Sequence, residues 1–539
     1  MPDILRLIGG AGTGKTSRLM QEIDRARGLW GIEQIGFSTM TRAARSVAVG
    51  RAASAFGRAP DELSRDGWFR TIHSACLRVT GDAFASILSS DDDEWLSKSV
   101  FHAPYKTTRY SEDDDMGTRC GGGDDVSLSL DAWNYARARM IDLRTACVHK
   151  DVPYTTALHY ASRYETAKRV AHKFDFTDIL MRFAGVQYAS EDAKPSRATP
   201  IGEVPRLSVW LFDEAQDASK LLDYACRRFA TAPSVERVII CGDPFQSIYG
   251  FAGSSSEHFL GWPATQEVLA QSHRCPKEIL AMGERSLRRM RGGSYWDRGI
   301  LAANRDGRVE DVLSIERLVD SVSAGDDWLL LARTNFSARK ITAVLDSRGI
   351  PWRSTSKNNT HSNARTAGIR SLVELEQTVP ISASSVADVM KSMQSVSRGT
   401  RLITHGAKAR YIPESHEGKR FSADDLAAIG FQQPLIDAIK SGAWVSHIAG
   451  AKKYRSAVAR YGSGIVDNPP VRVGTVHSAK GFEAKNVGLV DAASASSARR
   501  QECDRATWDE ERRIEYVGVT RASSRLVIAR CPSALSVLH

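Results

Sequence analysis

Short apolar runs recur along the chain, most of them stopping at a glycine or a carboxylate, and stretches with helical spacing lie between them. The runs at 4–8, 207–212 and 237–241 predict strands buried in a parallel sheet, and 35–39 predicts another. Residues 17–26 are amphipathic, and a second helix is predicted to open at Thr41 and run to about residue 53. Between 81 and 173 this rhythm breaks: acidic clusters sit at 91–94 and 112–115, glycines fill 121–123, and the one helix predicted covers 131–146. Such a composition predicts an insertion of solvated loops, and the carboxylates lack the spacing of an EF-hand. Strand-and-helix alternation resumes at 174–180. A second irregular stretch, 354–468, is Ser-rich and basic, with helices predicted over 386–393 and 423–429. A strand at 525–529 is the last element predicted.

The first strand leads into Gly9, Gly10, Ala11, Gly12, Thr13, Gly14, Lys15 and Thr16, which fit G-x-x-x-x-G-K-[ST] throughout. Glycines let consecutive backbone N–H groups converge on phosphate oxygens, and the following helix points its positive end at them. Lys15 is then expected at the β and γ phosphates, and the Thr16 hydroxyl on Mg²⁺. The strand at 207–212 ends in Asp213 and Glu214, at the sheet edge where α/β folds bind ligands. Asp213 is the candidate for the Mg²⁺ shell, and Glu214 for orienting and deprotonating an attacking water. The next strand ends in a loop bracketed by glycine and proline that carries Gln246, Tyr249 and Phe251. A glutamine able to sense phosphate thus shares a loop with two aromatics, the groups proteins use to stack bases without discriminating among them.

Charge and size narrow the partners. The chain has 539 residues, enough for several cores, and a formal net charge of +10, which favours a polyanionic partner. Eight cysteines include no C-x-x-C pair, which argues against a zinc ribbon and for reduced thiols in a cytoplasm. No apolar run approaches the length needed to span a bilayer, so no membrane partner is expected.

Taken together, GGAGTGKT, TIHS, FDFTDIL, LFDEAQD, GDPFQSIYGF, SHRCP, ARTN, GTVHSAKGFE and EERR…YVGVTRA resemble, in order, the motifs of UvrD/Rep/PcrA-like superfamily 1 DNA helicases. The resemblance implies an α/β fold of two RecA-like parallel-sheet motor domains, each interrupted by a mainly helical insertion. The implied boundaries are 1–80 with 174–270 for the first motor, 81–173 for its insertion, 271–353 with 471–539 for the second, and 354–470 for the other insertion. It also implies that Gln246, Arg274 and Arg521 act on the γ-phosphate, that Glu483 approaches the ribose, and that His273 stacks on the base. Thr41, Thr71, His73, Tyr249, Phe251, Thr475 and His477 are implied at the DNA.

Departures stand out as well: His273 stands where the family usually has a base-stacking tyrosine, and Thr39 where it often has an aromatic. Eight residues, none of them Gln, precede Gly9, where the family carries an adenine-reading segment, and Ala252 replaces the arginine that usually follows the second aromatic. The expected activity is an ATP- and Mg²⁺-dependent 3′ to 5′ helicase or translocase on single-stranded DNA and DNA junctions, in the cytoplasm of a bacterial or phage-infected cell. Two readings stay open beside it. One is a motor that strips proteins or drives a nuclease or defence complex with little unwinding alone, with a nuclease or a repair or replication factor as its protein partner; the other is a P-loop switch that binds a protein.

Overall fold

The computed structural model describes residues 2–530 apart from 41, 83–85, 106–124, 189–192, 324, 349, 356–362, 398, 449–450, 452–454, 457, 459–460, 463–464, 466–467 and 492–504. These form two units. The first takes in Met1–Arg308, Lys480–Phe482 and Ser496–Ser524; the second takes in Val309–Ala479, Glu483–Ala495 and Arg525–His539.

The first unit is built on six strands: β1 (Asp3–Gly9), β2 (Ile35–Thr39), β3 (Trp68–Thr71), β4 (Val209–Asp213), β5 (Arg237–Gly242) and β6 (Thr265–Leu269). Their order is β3-β2-β4-β5-β1-β6, and every neighbouring pair is parallel. The strands are apolar on both faces because each face carries its own core. Val209 and Leu211 pack with Ile239, Cys241 and the inner side of helix α1 (Lys15–Trp30), whereas Trp210 and Phe212 pack with Val238, Ile240 and Phe229 on the other face. A two-residue period splits one strand between the two cores. Because the strands are parallel, Gly9, Thr39, Asp213 and Gly242 all end on one edge of the sheet.

The stretch from 81 to 173 departs from expectation. It holds a core of its own, including Leu96, Phe101, Trp133, Leu143 and Tyr164. The helix predicted over 131–146 is two helices, α2 (Asp125–Arg139) and α3 (Leu143–Lys150). They are split at Met140, whose φ is 52°, and at Asp142, whose carboxylate caps α3 by accepting from the Thr145 N–H at 2.8 Å. Helix α4 (Tyr154–Val170) follows. The acidic residues at 91–94 lie on short helical turns, and Asp92 pairs with Lys173 at 2.5 Å. The clusters at 112–115 and 121–123 lie outside the described residues. Residues 174–180 mostly form the start of helix α5 (Phe176–Ala184), held by a reciprocal capping box between Asp175 and Asp178.

The second unit's sheet has β7 (Arg308–Val312), β8 (Trp328–Ala332), β9 (Arg353–Ser354), β10 (Val471–Thr475), β11 (Ala484–Asp491) and β12 (Ala522–Arg530), in the order β9-β10-β8-β11-β12-β7. Strand β8 is parallel to both its neighbours, β10 and β11, and helix α6 (Asn335–Ser347) follows it. The predicted helix at 386–393 is found at Ala383–Ser392, whereas 423–429 winds as a tighter 3₁₀ turn, Asp424–Ile429. Both belong to an insertion whose core includes Leu372, Val386, Leu426, Ile439 and Trp444. The whole is an α/β fold of two RecA-like sheets with helical insertions. No helix among the described residues is long and apolar enough to cross a membrane.

Candidate active site and nucleic-acid contacts

The predicted cradle forms where β1 meets α1. Gly12 and Gly14 take φ of 71° and 79°, the left-handed region that glycine enters without strain. Gly12 is also demanded by packing, since a Cβ there would come 2.3 Å from the Cβ of Arg274. The segment carrying His273 and Arg274 lies against the cradle: the His273 N–H donates to the Gly12 carbonyl at 2.8 Å, and the Ser272 hydroxyl to Ala11 O at 2.8 Å. Thr13 Oγ1 donates to Gly10 O at 3.1 Å. Lys15 folds back so that Nζ donates to Gly9 O at 3.0 Å and Gly10 O at 3.3 Å.

The carboxylates lie on the same edge. Asp213 ends β4, fully inside, and accepts from the Glu214 N–H at 2.9 Å. Glu214 leaves the strand in the left-handed region at φ 54°, a conformation that costs a side-chain-bearing residue about 1–2 kcal/mol. Burial, with the neighbouring Glu214 charge, pushes the Asp213 carboxyl up to about 7. Burial acts to raise Glu214 too, but Lys15 and Lys480 outweigh it and hold that carboxyl below its ordinary range. The pair is therefore divided between a group that favours gaining a positive partner and a group ionised at neutral pH. Thr39 is paired in register with Asp213, and its buried hydroxyl has no partner among the described residues. A buried carboxyl, a lone hydroxyl on the adjoining strand and the Thr16 hydroxyl at the start of α1 are hard oxygen donors of the kind Mg²⁺ takes.

Gln246 is buried and its amide Nε2 donates to Asp243 Oδ2 at 2.7 Å, while its Oε1 accepts from Arg521 Nη2 at 3.3 Å. Burial, with the like charge of Arg274, lowers Arg521 to about 10, which leaves it cationic at neutral pH. The structure thus gathers Lys15, Asp213, Glu214, Gln246, Arg274 and Arg521 in the first unit.

Several groups that sequence reasoning did not single out complete the surroundings. Lys480 Nζ donates to Asp217 Oδ2 at 2.5 Å and to the Gln246 carbonyl at 2.6 Å, and it also sits 5.0 Å from the Tyr249 ring centre. Gln216 bridges Glu214 and the Asp243 N–H, and the bare Cα of Gly242 makes room for it, because a Cβ there would lie 2.3 Å from Gln216 Oε1. Tyr516, on helix α7 (Arg505–Val519), accepts from the Ala11 N–H at 3.2 Å and donates to Asp243 Oδ2 at 3.3 Å. Arg298, wholly buried, pairs with Asp243 at 2.5 Å and Glu284 at 2.7 Å. Lys480 and Tyr516 fall inside quoted motifs; Arg298 carries no local signal.

The residues expected at DNA are dispersed. Tyr249 and Phe251 are half-buried and meet edge to face at 6.2 Å. Their loop is pinned by Glu510, which accepts from the Gly250 N–H at 2.9 Å, and by Lys150, which donates to the Phe251 carbonyl at 2.7 Å. Thr71 caps the helix Ile72–Thr80 by accepting from the Ser74 N–H, and His73 meets Phe176 edge-on at 6.0 Å. In the second unit Thr475 ends β10, His477 is buried two residues on, and Glu483 is exposed. Thr41 lies outside the described residues.

A parallel sheet with a phosphate cradle after its first strand and paired carboxyls on the same edge defines a P-loop nucleotide-binding protein. Residues 3–265 match the UvrD/REP helicase N-terminal domain and residues 461–533 the UvrD-like helicase C-terminal domain. The chain belongs to the UvrD/REP family of superfamily 1 helicases. Its similarity to individual relatives is distant. It is 24% identical over 392 residues to ATP-dependent DNA helicase UvrD1 of Mycobacterium leprae, covering 65% of this chain and 47% of that protein. It is 24% identical over 573 residues to ATP-dependent DNA helicase UvrD2 of Mycobacterium tuberculosis, covering 97% and 76%. It is 22% identical over 628 aligned positions to the putative ATP-dependent DNA helicase YjcD of Bacillus subtilis, covering 98% and 77%. The chain thus spans about half the length of the UvrD1 proteins it matches.

Proposed function

We propose that the chain is an ATP-driven motor that moves 3′ to 5′ along single-stranded DNA and opens duplex at junctions. One loop carries the argument. At one end Gln246 meets Arg521 beside the carboxylates; three and five residues on, Tyr249 and Phe251 form an aromatic pair. A single short element therefore links phosphate-sensing groups to groups suited to stacking bases. The relatives' names, each an ATP-dependent DNA helicase or a putative one, support the same reading.

The chemistry follows from the residues. The backbone of residues 9–16 would hold the polyphosphate of ATP with Lys15 among its oxygens. Thr16 and Asp213 would hold Mg²⁺, which supplies charge neutralisation on the phosphates when bound. Glu214, ionised and surrounded by cations, accepts a proton from the attacking water. Gln246 orients that water or the γ-phosphate, and Arg521 and Arg274 stabilise the charge that develops on the transferred group. Loss of the γ-phosphate removes what Gln246 and Arg521 hold, and the loop that carries Gln246 then favours a different grip on the bases. Such a difference in state preference is what drives movement.

The test is strand displacement on duplexes with a single-stranded tail at one end, with Lys15→Ala as the inactive control. Displacement from a 3′ tail is expected, with little from a 5′ tail. The reverse preference would contradict the polarity. No displacement from either tail, with streptavidin still cleared from a biotinylated strand, would replace unwinding with protein stripping.

A further inference from the structure

Helix α6 begins three residues after β8 ends at Ala332, and Ala332 is paired in register with Thr475 at the end of β10. The carbonyl of Ala332 also accepts from the Val476 N–H at 3.0 Å. The start of α6 therefore lies on the strand-end edge of the second sheet, beside the segment that carries His477. Thr334 caps the helix by accepting from the Ser337 N–H, and Ser337, Ala338 and Ile341 turn inward. The outward stripe, at spacings of three and four, is Phe336, Arg339 and Lys340, all exposed.

Phe336 is 67% exposed and is the one phenylalanine among the exposed large apolar side chains of the described residues. A lone exposed phenylalanine signifies little. Here, however, Lys340 Nζ stands 4.7 Å from its ring centre, and no carboxylate occurs between 333 and 345. An exposed aromatic ring with Lys340 over it and Arg339 exposed on the same stripe, in a segment that contains no carboxylate of its own, is complementary to a base with its phosphate.

We propose that Phe336, with Arg339 and Lys340, is a stacking platform for one base of single-stranded DNA on the second unit. The ring takes the base and the two cations take adjoining phosphates. The proposal rests on the DNA-motor reading above, and it adds a contact that reading does not require.

The test compares wild type, Phe336→Ala and Phe336→Trp for binding to labelled oligothymidylate and to a strand of equal length with abasic sites, read by fluorescence anisotropy. Phe336→Ala is expected to weaken oligothymidylate binding about tenfold, the size of one lost base–aromatic stack. Phe336→Trp should bind like wild type, and on the abasic strand all three should bind alike. ATP turnover without DNA should be unchanged in both variants. Equal binding of wild type and Phe336→Ala to oligothymidylate, or an equal loss on both strands, would overturn the platform while leaving the motor reading intact. Wild type that binds neither strand would overturn both.

Discussion

Glu214 is the residue on which the proposed chemistry turns. It stands in a left-handed conformation immediately after a buried strand, next to a carboxyl pushed up to about 7, and is itself held below the ordinary range against burial. A residue kept in a conformation that glycine would occupy more easily marks a position selected for its side chain. Glu214→Gln is expected to lower the turnover number about 10²–10⁴-fold while nucleotide affinity stays within a few fold, since the amide retains the shape and loses the proton acceptor. Turnover and binding titrations with a fluorescent nucleotide measure the two. A fall of less than tenfold would remove Glu214 as the base. The cradle, Asp213, Glu214 and Gln246 were legible in the sequence because each is fixed by its neighbours in a short motif. Arg298 was not, because its partners Asp243 and Glu284 lie 55 and 14 residues away and nothing local marks it.

Among elements, the junction of α2, α4 and α5 shows what the hydrophobic pattern concealed. Arg137 on α2 and Lys168 on α4, both buried, meet Asp175 and Asp178 at the start of α5. Glu165, Asp175 and Asp178 approach one another closely enough to hold a metal ion, but these two cations already occupy their surroundings. Helix α4 escaped prediction because its inner face is Ala157, Ala161, Tyr164 and Lys168, small or polar residues that give a weak apolar stripe.

Burial acts to raise Asp175, yet Arg137 and Lys168 hold it below the ordinary range. Burial and the Asp175 charge push Asp178 up to about 6. The neutral form is therefore tolerated at Asp178 and not at Asp175. Asp178→Asn should cost about 1 kcal/mol, and Asp175→Asn and Arg137→Ala about 3–5 kcal/mol each, because they strand a buried charge. Urea unfolding followed by a probe in the first unit checks the order; a larger loss for Asp178→Asn would contradict it.

For the whole molecule, the alternation of strands and helices gave the first sheet its class, whereas the second sheet, of which only the strand at 525–529 was predicted from the residues, came with the family from the order of motifs. The insertions were less legible, because their cores are small and assembled from residues far apart in the sequence, such as Leu96 with Trp133 and Leu372 with Trp444. The structural division also draws Lys480–Phe482 and Ser496–Ser524 into the first unit, so that Lys480, Tyr516 and Arg521 surround a loop encoded some 230 or more residues earlier. In the proposed motor, that arrangement would make nucleotide chemistry and the aromatic pair answer to the same loop.

The proposed coupling between DNA and nucleotide is read by steady-state ATP hydrolysis with and without a single-stranded oligonucleotide, at low and high salt. Strong stimulation by DNA that weakens as salt rises is expected, because phosphate contacts release counterions. Hydrolysis indifferent to DNA at both salt concentrations would contradict it and favour a nucleotide switch directed at a protein.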